Sequence, residues 1–337
     1  MIYSIVNMTI KQIYNLALEM GIGADPRGKR GIEKSLEREK KRYQKLSKDE
    51  REFFDRERLT NPYADTRIHF GDPNKSIKTI LVGVDIEAGE IALIKALNKD
   101  IDLIINHHPE GKALAALDDV MHLQADLMAA YGVPINVAEG VMKERIEQVS
   151  RSIAPINHMQ VIDAAKIANI PMMNIHTPCD NLVFRFLQNL MDPPATPRKR
   201  GLRGGRGKKQ PETVGEIIEI LRKIPEYKIA TINNAGPRIF AGSPENRAGK
   251  IVAFDITGGT EGAKEIYPEL VKAGVGTVIG MHMKDENRDE AIKNHLNVVI
   301  AGHISSDSIG MNLFLDKLAN KNIKIIPISG LIRVRRK

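Results

Sequence analysis

From residue 79 onward, short apolar runs alternate with segments of helical spacing, and this alternation is the feature that most constrains the fold. Runs of this length, bounded by turn residues, are typical of buried strands. Strands that alternate with helices favour α/β layers with mainly parallel pairing. The predicted strands are TILVGVDI (79–86), DLIIN (102–106), VPINVA (133–138), IPMMNI (170–175), KIATI (228–232), KIVAFDI (250–256), GTVIG (276–280), NVVIAG (297–302) and IKIIPI (323–328).

The first 78 residues differ from the rest of the chain in their pattern of apolar and charged residues. Residues 9–21 place apolar side chains at helical spacing, and residues 31–59 are dense in mixed charge. Both patterns predict helices. We therefore expect a helical N-terminal extension over residues 1–78, packed on the body of the protein.

The remaining sequence predicts two lobes. The segment 192–212 is rich in Pro, Gly and charge and predicts a flexible linker. Directly after it, TVGE (213–216) is a capping-box pattern that opens a helix. We expect a first α/β lobe over 79–191, completed by 296–337, and a second over 213–295.

The net charge of +8 is concentrated in two places. Residues 198–209 carry seven Lys and Arg, and the tail 333–337 carries four more, so the rest of the chain is mildly acidic. This distribution and the 4% aromatic content argue against a uniform nucleic-acid-binding face. One cysteine excludes a disulfide framework, and no run approaches the ~20 apolar residues of a membrane span. We expect a cytoplasmic protein with no membrane partner.

Three predicted strands are each followed by side chains of the kind that bind metals. Sites in α/β sheets gather at the carboxyl ends of strands. A His and an Asp four residues apart share one helix face. Each cluster alone is also compatible with satisfied structural residues, but three in one topological place favour zinc, manganese, iron or a similar ion, and their number suits two ions. The clusters are His107 with His108, His176 with Asp180, and His303 with Asp307.

Other motifs carry less information. The Gly-rich turn TGGTEG (257–262) allows close backbone approach, and a helix start after it would favour an anion. Two Lys-containing Gly-rich stretches lack the Ser or Thr of a phosphate-binding loop. The remaining histidines are interpreted as structural or surface residues: His69, His122, His158, His282 and His295.

The ordered set HHP, HTxxD and GHxxSD, with TGGTEG and GVGTVIG before the last, resembles a known family. It is similar, over about residues 79–320, to the dinuclear-metal proteins named after the NGG-interacting factor three, also described as type-two GTP cyclohydrolase I. The resemblance implies a two-lobed α/β fold, a ring-shaped homohexamer and two metal ions per subunit. It places a proton-transfer role on His176 and metal ligands on His107, His108, Asp180, His303 and Asp307. The family usually has Glu at the last position, one methylene longer than Asp307.

Two functions are compatible with these residues. The first is a metal-dependent hydrolase, in which two divalent ions and a bridging hydroxide attack a small-molecule substrate such as a purine or related ring. The resemblance implies GTP cyclohydrolase-like chemistry as one candidate. The alternative is a metal-loaded ring without turnover that binds protein or nucleic acid through residues 198–209. A solubilising disordered loop is the simplest interpretation of that segment.

Overall fold

The computed structural model describes residues 8–192 and 210–336. In these ranges the chain forms two sheets whose strands alternate with helices, so the predicted α/β class is confirmed. The strands are β1 (Arg67–Phe70), β2 (Thr79–Gly83), β3 (Leu103–Asn106), β4 (Met172–Asn174), β5 (Arg238–Ala241), β6 (Lys250–Ala253), β7 (Val275–Gly280), β8 (Asn297–Ile300) and β9 (Lys324–Pro327).

The helices flank both sheets and also lie between them. Within the described ranges, no helix has the length and apolar character needed to cross a bilayer. The helices are α1 (Ile10–Ala24), α2 (Gly28–Lys45), α3 (Lys48–Phe53), a 3-10 helix (Arg56–Leu59), α4 (Ala88–Ala96), α5 (Gly111–Ala115), α6 (Leu117–Val120), α7 (His122–Tyr131), α8 (Ile135–Ile153), α9 (Gln160–Ala168), α10 (Thr177–Met191), α11 (Val214–Arg222), α12 (Pro225–Ile232), α13 (Ile266–Lys272), α14 (Asp285–Lys293) and α15 (His303–Ala319).

The two sheets repeat one strand order. The first is β1-β4-β3-β2-β9 and the second is β5-β8-β7-β6, so the second matches the first without β9. In each sheet an antiparallel edge strand pairs with the first of a row of parallel strands, which number four in the first sheet and three in the second, and both edge pairings contain a register shift. Because parallel strands end at the same edge, each sheet presents a row of carboxyl ends on one side.

Most of the predicted strands that form are buried on both faces, but β9 is partly exposed, and two edge strands escaped prediction. Strands β3 and β8 are buried at every position, as expected for parallel strands covered by helices on both sides. Strands β1 and β5 begin with Arg and are only partly buried. In β1 the apolar residues alternate with Arg67 and His69, and β5 is followed directly by Gly242, so neither strand lies in a longer apolar run that would predict it.

Two predicted strands are wrong. Residues 133–138 enter α8 and residues 228–232 form the end of α12. Pro134 lies at the N-cap of α8 and Pro225 in the first turn of α12, positions where the fixed φ of proline favours a helix start. A short apolar run cannot by itself distinguish a strand from a buried helix. In α8 the buried residues recur at helical spacing: Ala138, Met142, Val149 and Ile153.

Helices α10 and α15 form the layer between the two sheets. They pack against each other, and their buried side chains join the hydrophobic cores of both sheets. The crossing is close, because a Cβ added at Gly310 of α15 would lie 2.3 Å from the carbonyl oxygen of Cys179 in α10. Gly310 therefore sets the separation of the two helices, both of which begin beside strand ends.

The predicted lobe boundaries need correction. Strand β8 pairs with β7 in the second sheet, so the chain returns to the first sheet after residue 300 and not at 296. Helices α7 and α8, assigned from sequence to the first lobe (79–191), bury side chains in the core that contains the second sheet. Strand β1, from the predicted extension, completes the edge of the first sheet. The order of elements along the chain does not reveal which sheet a helix covers.

The N-terminal extension is otherwise helical, as predicted. Helix α1 begins at a capping box in which Thr9 and Gln12 satisfy each other's backbone N–H groups, and it packs against α10. Helix α2 has one buried residue, Ile32. The charged helices thus lie on the surface, with α1 joining them to the core.

The predicted linker falls largely on residues that the structure leaves undescribed. Residues 193–209, which include the basic segment 198–209, lie outside the described ranges. After them, the Thr213 hydroxyl accepts the N–H of Glu216 at 3.3 Å, as predicted for an N-cap. The Glu216 carboxylate instead accepts the N–H of Glu212 at 2.8 Å, so half of the capping box forms.

The C-terminal tail is bound to the body through its arginines. Arg336 donates to both carboxylate oxygens of Glu226, at 2.6 and 2.8 Å. Glu226 is fully buried and also accepts a hydrogen bond from Asn312 at 2.8 Å. Arg333 pairs with Asp316 at 2.5 Å. These contacts hold the tail against α12 and α15, so it is not a free basic extension.

We expect Arg336→Ala to destabilise the protein, because Glu226 would keep a buried charge without its cation. Removing one partner of a buried ion pair costs about 3–5 kcal/mol, and the partial exposure of Arg336 places this pair near the lower end. The shift in the urea midpoint at constant m-value measures the loss. Arg335→Ala, at the exposed neighbouring position, is the matched control. Equal midpoints for the two variants would contradict a stabilising role for the Arg336–Glu226 pair.

Candidate metal centre

The carboxyl ends of β3, β4 and β8 converge on one site between the sheets. His107 directly follows β3, His176 lies between β4 and α10, and His303 is the first residue of α15 after β8. The separate clusters meet because parallel strands end at a shared edge and the helices that follow begin there. The structure brings together all six residues selected from the sequence: His107, His108, His176, Asp180, His303 and Asp307.

Two adjacent histidines serve one site because the chain bends directly after β3. The N–H of His107 donates to the carbonyl of Gly83 at 2.9 Å, and that of His108 donates to Val84 at 3.1 Å. The pairing with the neighbouring chain segment therefore continues past the end of the strand. The two ring centroids are 5.2 Å apart. On a continuing strand, the two side chains would point to opposite faces.

Asp307 lies at the centre of the cluster and is almost fully buried. Its Oδ1 is 3.6 Å from Nε2 of His107. Its Oδ2 is 3.5 Å from Nε2 of His108 and 3.5 Å from Nε2 of His303. The two oxygens of one carboxylate thus face different imidazoles.

Asp180 extends the cluster on the side of His107. Its Oδ1 is 3.3 Å from Nε2 of His107, and its Oδ2 is 3.6 Å from Nε2 of His176. Two ligands about 2.0–2.2 Å from a tetrahedral ion are roughly 3.4 Å apart. The separations around both carboxylates therefore match those between ligands of one metal ion, and they exceed ordinary hydrogen-bond lengths.

The other ring nitrogen of three histidines is fixed by an acceptor. Nδ1 of His107 is 2.9 Å from the carbonyl of Ile175, and Nδ1 of His108 is 2.5 Å from Asp85. Nδ1 of His176 is 2.8 Å from Asp65. Acceptors of this kind hold metal-binding imidazoles in the tautomer that presents Nε2 to the ion.

Several atoms that face the cluster have no hydrogen-bond partner among the described residues. They are Nε2 of His107, Oδ1 of Asp180 and both oxygens of Asp307. A buried polar atom left without a partner costs about 1–3 kcal/mol. Divalent ions would satisfy these atoms together, so the residues present fit a metal site.

Charges in the cluster oppose the effect of burial. Burial lowers the pKa of His107, but Asp307 and Asp180 raise it well above its ordinary value. Burial also lowers the pKa of His108, yet Asp307 and Asp85 raise it to about 9. Burial raises the pKa of Asp307, and the neighbouring imidazoles lower it far below the usual range. The carboxylates therefore favour positive charge in the cluster, whether from protons or from metal ions.

Two residues at the corresponding edge of the second sheet lie beside the site without having been predicted there. Asp255 follows β6 and His282 follows β7. Asp255 Oδ2 is 2.9 Å from His282 Nδ1, and the His282 ring centroid lies 5.0 Å from that of His303. The interpretation of His282 as a structural or surface residue is therefore corrected. Its position after a predicted strand was the signal that could have identified it.

The Gly-rich turn 257–262 forms part of the same wall. Gln124 of α7 donates to the carbonyls of Gly258 and Thr260, at 2.9 and 2.6 Å, and thereby fixes the turn. Gly258 has φ of +95°, which other residues rarely adopt. No helix starts directly after the turn, since α13 begins at Ile266. The expected anion site at a helix start is therefore not formed.

Two cavities differ in chemistry. A cavity of about 20 Å³, large enough for a water molecule, is bounded by His176, Asp180, His303 and Asp307 on one side and by Asp255 and His282 on another. A larger cavity of about 300 Å³ between α2 and α7 contains none of the clustered residues. Arg58 in its wall is paired with Asp119 and Glu39. The smaller cavity is therefore the candidate reaction space.

Comparison with known proteins gives the fold its context. No protein-family model matches the chain, and no curated protein matches it. A NIF3 superfamily protein from Sphaerobacter thermophilus is similar in structure, with a TM-score of 0.73 and 22% identity, over 97% of this chain and 100% of that chain.

Two other solved structures are less similar. Reduced HcgD from Methanocaldococcus jannaschii has a TM-score of 0.49 and 15% identity, over 83% of this chain and 94% of that chain. A Bacillus cereus protein related to NIF3 has a TM-score of 0.42 and 12% identity, over 78% of this chain and 91% of that chain. Over nearly its whole length, then, this chain has the fold of the Sphaerobacter NIF3 superfamily protein.

Proposed function

We propose that this protein binds two divalent metal ions at the His/Asp cluster and uses them in a hydrolytic reaction. The position of Asp307 is the observation that carries the proposal. One set of ligand atoms comes from His107, Asp180 and Asp307, and another comes from His108, His303 and Asp307. In each set the ligand atoms lie within 4.8 Å of one another. A carboxylate shared by two mixed N/O sets is suited to bridging two ions.

The shorter side chain of Asp307 is compatible with this bridging role. Helix α15 begins at His303 and carries Asp307 one turn later, so both side chains lie on the face towards the cluster. The close crossing at Gly310 lets α15 approach α10, the helix that carries Asp180. The approach of the helices supports a role that Glu usually fills in the family which this sequence resembles.

The chain's own residues would orient the reaction and move protons. Two divalent ions in this cluster would supply Lewis acidity and bring the pKa of a bound water to near 7. Asp65 holds Nδ1 of His176 at 2.8 Å and also accepts the Thr177 hydroxyl at 2.6 Å. This leaves Nε2 of His176 towards the cluster to accept and return a proton.

The size of the cavity restricts the substrate group that reacts. With about 20 Å³ beside the cluster, only the reacting end of a small molecule would enter. An electrophilic ring or amide carbon is such a group, and we include cyclohydrolase-type opening of a purine or related ring as the leading candidate. Zinc, manganese and iron all suit the N/O donors. A homohexameric assembly is part of this proposal.

The second candidate function is a metal-loaded scaffold without turnover. The seven Lys and Arg at 198–209 favour it, because such a segment attracts anionic partners. Nucleic-acid affinity that falls steeply with salt and disappears on deletion of 198–209 would support the scaffold. Metal-dependent turnover that survives the deletion would support the hydrolase.

Metal affinity should rise with pH. His108 has a folded pKa of about 9, above its unfolded value of about 6.5. Below about 6.5 the metal-free protein keeps the full stabilisation from its imidazolium, and this is lost as pH rises through about 9. Because metal must displace that proton, affinity should increase up to about tenfold per pH unit between these values.

Competition with a chromophoric chelator at several pH values measures this affinity. Thermal melts should show the metal-free protein losing stability from pH 6.5 to 9 while the Zn²⁺-loaded protein does not. A pH-independent affinity would contradict the proposed exchange of protons for metal.

Asp307→Asn should empty at least one metal site. The amide keeps the shape of the side chain but removes the charge that both ligand sets share. We expect metal content measured by mass spectrometry to fall from about two ions per chain to one or none. Asp289→Asn, an exposed carboxylate on α14, should retain the wild-type content. Full occupancy in Asp307→Asn would rule out the bridging role.

The hydrolase itself is tested by turnover of purine nucleotides and related ring compounds by Zn²⁺- or Mn²⁺-reconstituted protein. His176→Gln should lower kcat by about 10²–10⁴-fold, the range for loss of a general acid–base group, and leave metal content unchanged. His122→Ala, at an exposed histidine that belongs to none of the ligand groups, should behave as wild type. Absence of metal-dependent turnover across the panel would favour the scaffold.

A further inference from the structure

The two sheets repeat their site residues as well as their strand order. After the first parallel strand of each, the chain reads VGVDI (82–86) or VAFDI (252–256), so Asp85 and Asp255 occupy equivalent positions after β2 and β6. After the third parallel strand, one half has His176 just before α10 and Asp180 in its first turn, and the other has His303 at the start of α15 and Asp307 one turn later. The half-sites are therefore built on one plan.

The middle parallel strand completes this correspondence. Strand β3 ends at Asn106 and is followed by His107 and His108. Strand β7 ends at Gly280 and is followed by Met281 and His282. Position for position, His282 is the counterpart of His108.

The contacts of the two histidines also correspond. Asp85 lies 2.5 Å from Nδ1 of His108, and Asp255 lies 2.9 Å from Nδ1 of His282. Oδ2 of Asp255 and Nδ1 of His282 are not aligned for a hydrogen bond, although both atoms are buried. In both pairs the carboxylate follows the strand that neighbours the histidine's strand in the sheet. Asp85 follows β2, which lies beside β3, and Asp255 follows β6, which lies beside β7. Each half thus contains a carboxylate placed to orient an imidazole.

The environment of His282 favours a cation. The Asp255 carboxylate lies 2.9 Å from its Nδ1, and Asp307 lines the same cavity. The side chain of His282 is 33% exposed, and that of Asp255 is 5% exposed. The imidazole therefore lines the cavity on the side nearer to solvent, and the carboxylate contacts it from the buried side.

The ring of His282 packs directly against the cluster. Its centroid is 5.0 Å from that of His303. The His108–His303 and His107–His108 pairs, whose members contribute Nε2 atoms to the same groups of metal-type ligands, have separations of 5.1 and 5.2 Å. The His282 ring thus lies as near to His303 as the other imidazoles lie to one another. Its nitrogens are outside the groups whose ligand atoms all lie within 4.8 Å of one another, so the side chain would turn towards the ion on binding.

We propose that His282 is a further protein ligand for the metal ion held by His108, His303 and Asp307, with Asp255 as the carboxylate that orients its ring. This inference rests on the proposed metal function. It adds a third imidazole to one ion and makes the two ions unequal, because the His107–Asp180 side receives no equivalent residue from the second sheet. A side chain that reaches the ion from the cavity wall also narrows the space in which substrate binds.

The experiment compares wild type, His282→Gln and Asp255→Asn, with His122→Ala as the control for loss of a histidine. Each protein is made metal-free and titrated with Co²⁺, and the two dissociation constants are measured separately with a competing chelator. We expect Asp255→Asn to weaken one ion by about 10–100-fold, the range for loss of an orienting carboxylate. His282→Gln should weaken the same ion by at least as much, and the other ion should keep its affinity.

Proton NMR of the Co²⁺-loaded proteins gives an independent readout. One exchangeable, hyperfine-shifted imidazole resonance of wild type should be absent in His282→Gln and retained in His122→Ala. If His282→Gln binds both ions with wild-type affinity and keeps every shifted resonance, the inference is overturned and the metal centre stands. If wild type binds no Co²⁺, the proposed function fails first. Weakening of both ions equally would overturn the assignment of His282 to one of them.

Discussion

A single buried carboxylate, Asp307, is the constraint on which the arrangement depends. It lies among three imidazoles, and its two oxygens face different ones. Such a group is stable in the protein interior only when cations or donors surround it. The surrounding geometry supplies them: α15 begins beside the end of β8, and Gly310 allows α15 to cross α10 closely enough to align Asp307 with Asp180. The packing of α10 against α15 therefore also determines the geometry of the cluster, because moving either helix would separate the carboxylates of Asp180 and Asp307 from the imidazoles.

Much of the cluster could be predicted because the patterns that indicate it lie within short stretches of sequence. A polar ligand-type residue directly after an apolar strand lies at the edge where α/β sheets gather their sites. A His and an Asp four residues apart on the following helix then share a face. This rule predicts His303 with Asp307 and His176 with Asp180, and the structure brings them together. The same rule applies to Asp255 and His282, which escaped prediction because each occurs alone after its strand.

The features that could not be predicted from sequence depend on contacts between distant segments. Strands β1 and β5 form by antiparallel pairing with β4 and β8, and their own four residues carry no distinctive pattern. Residues 133–138 have a strand-like composition, yet they enter α8 because a long helix can bury its apolar stripe in the second core. The carboxylates that contact Nδ1 of the imidazoles, Asp65 and Asp85, precede their partners by 111 and 23 residues. No spacing within a motif indicates such pairs.

The internal repeat explains why the site has two halves and why they are not identical. Equivalent strands deliver Asp85 and Asp255, then His108 and His282, to one space between the sheets. At the position equivalent to His107, the second half has Met281, which is buried and apolar. One half therefore places two imidazoles after its middle strand, and the other places one. Two ions bound on such a frame would experience different ligand fields and different exposure to solvent. Under the proposed function, such unequal sets of residues would let one side of the site position a substrate while the other side favours activation of water.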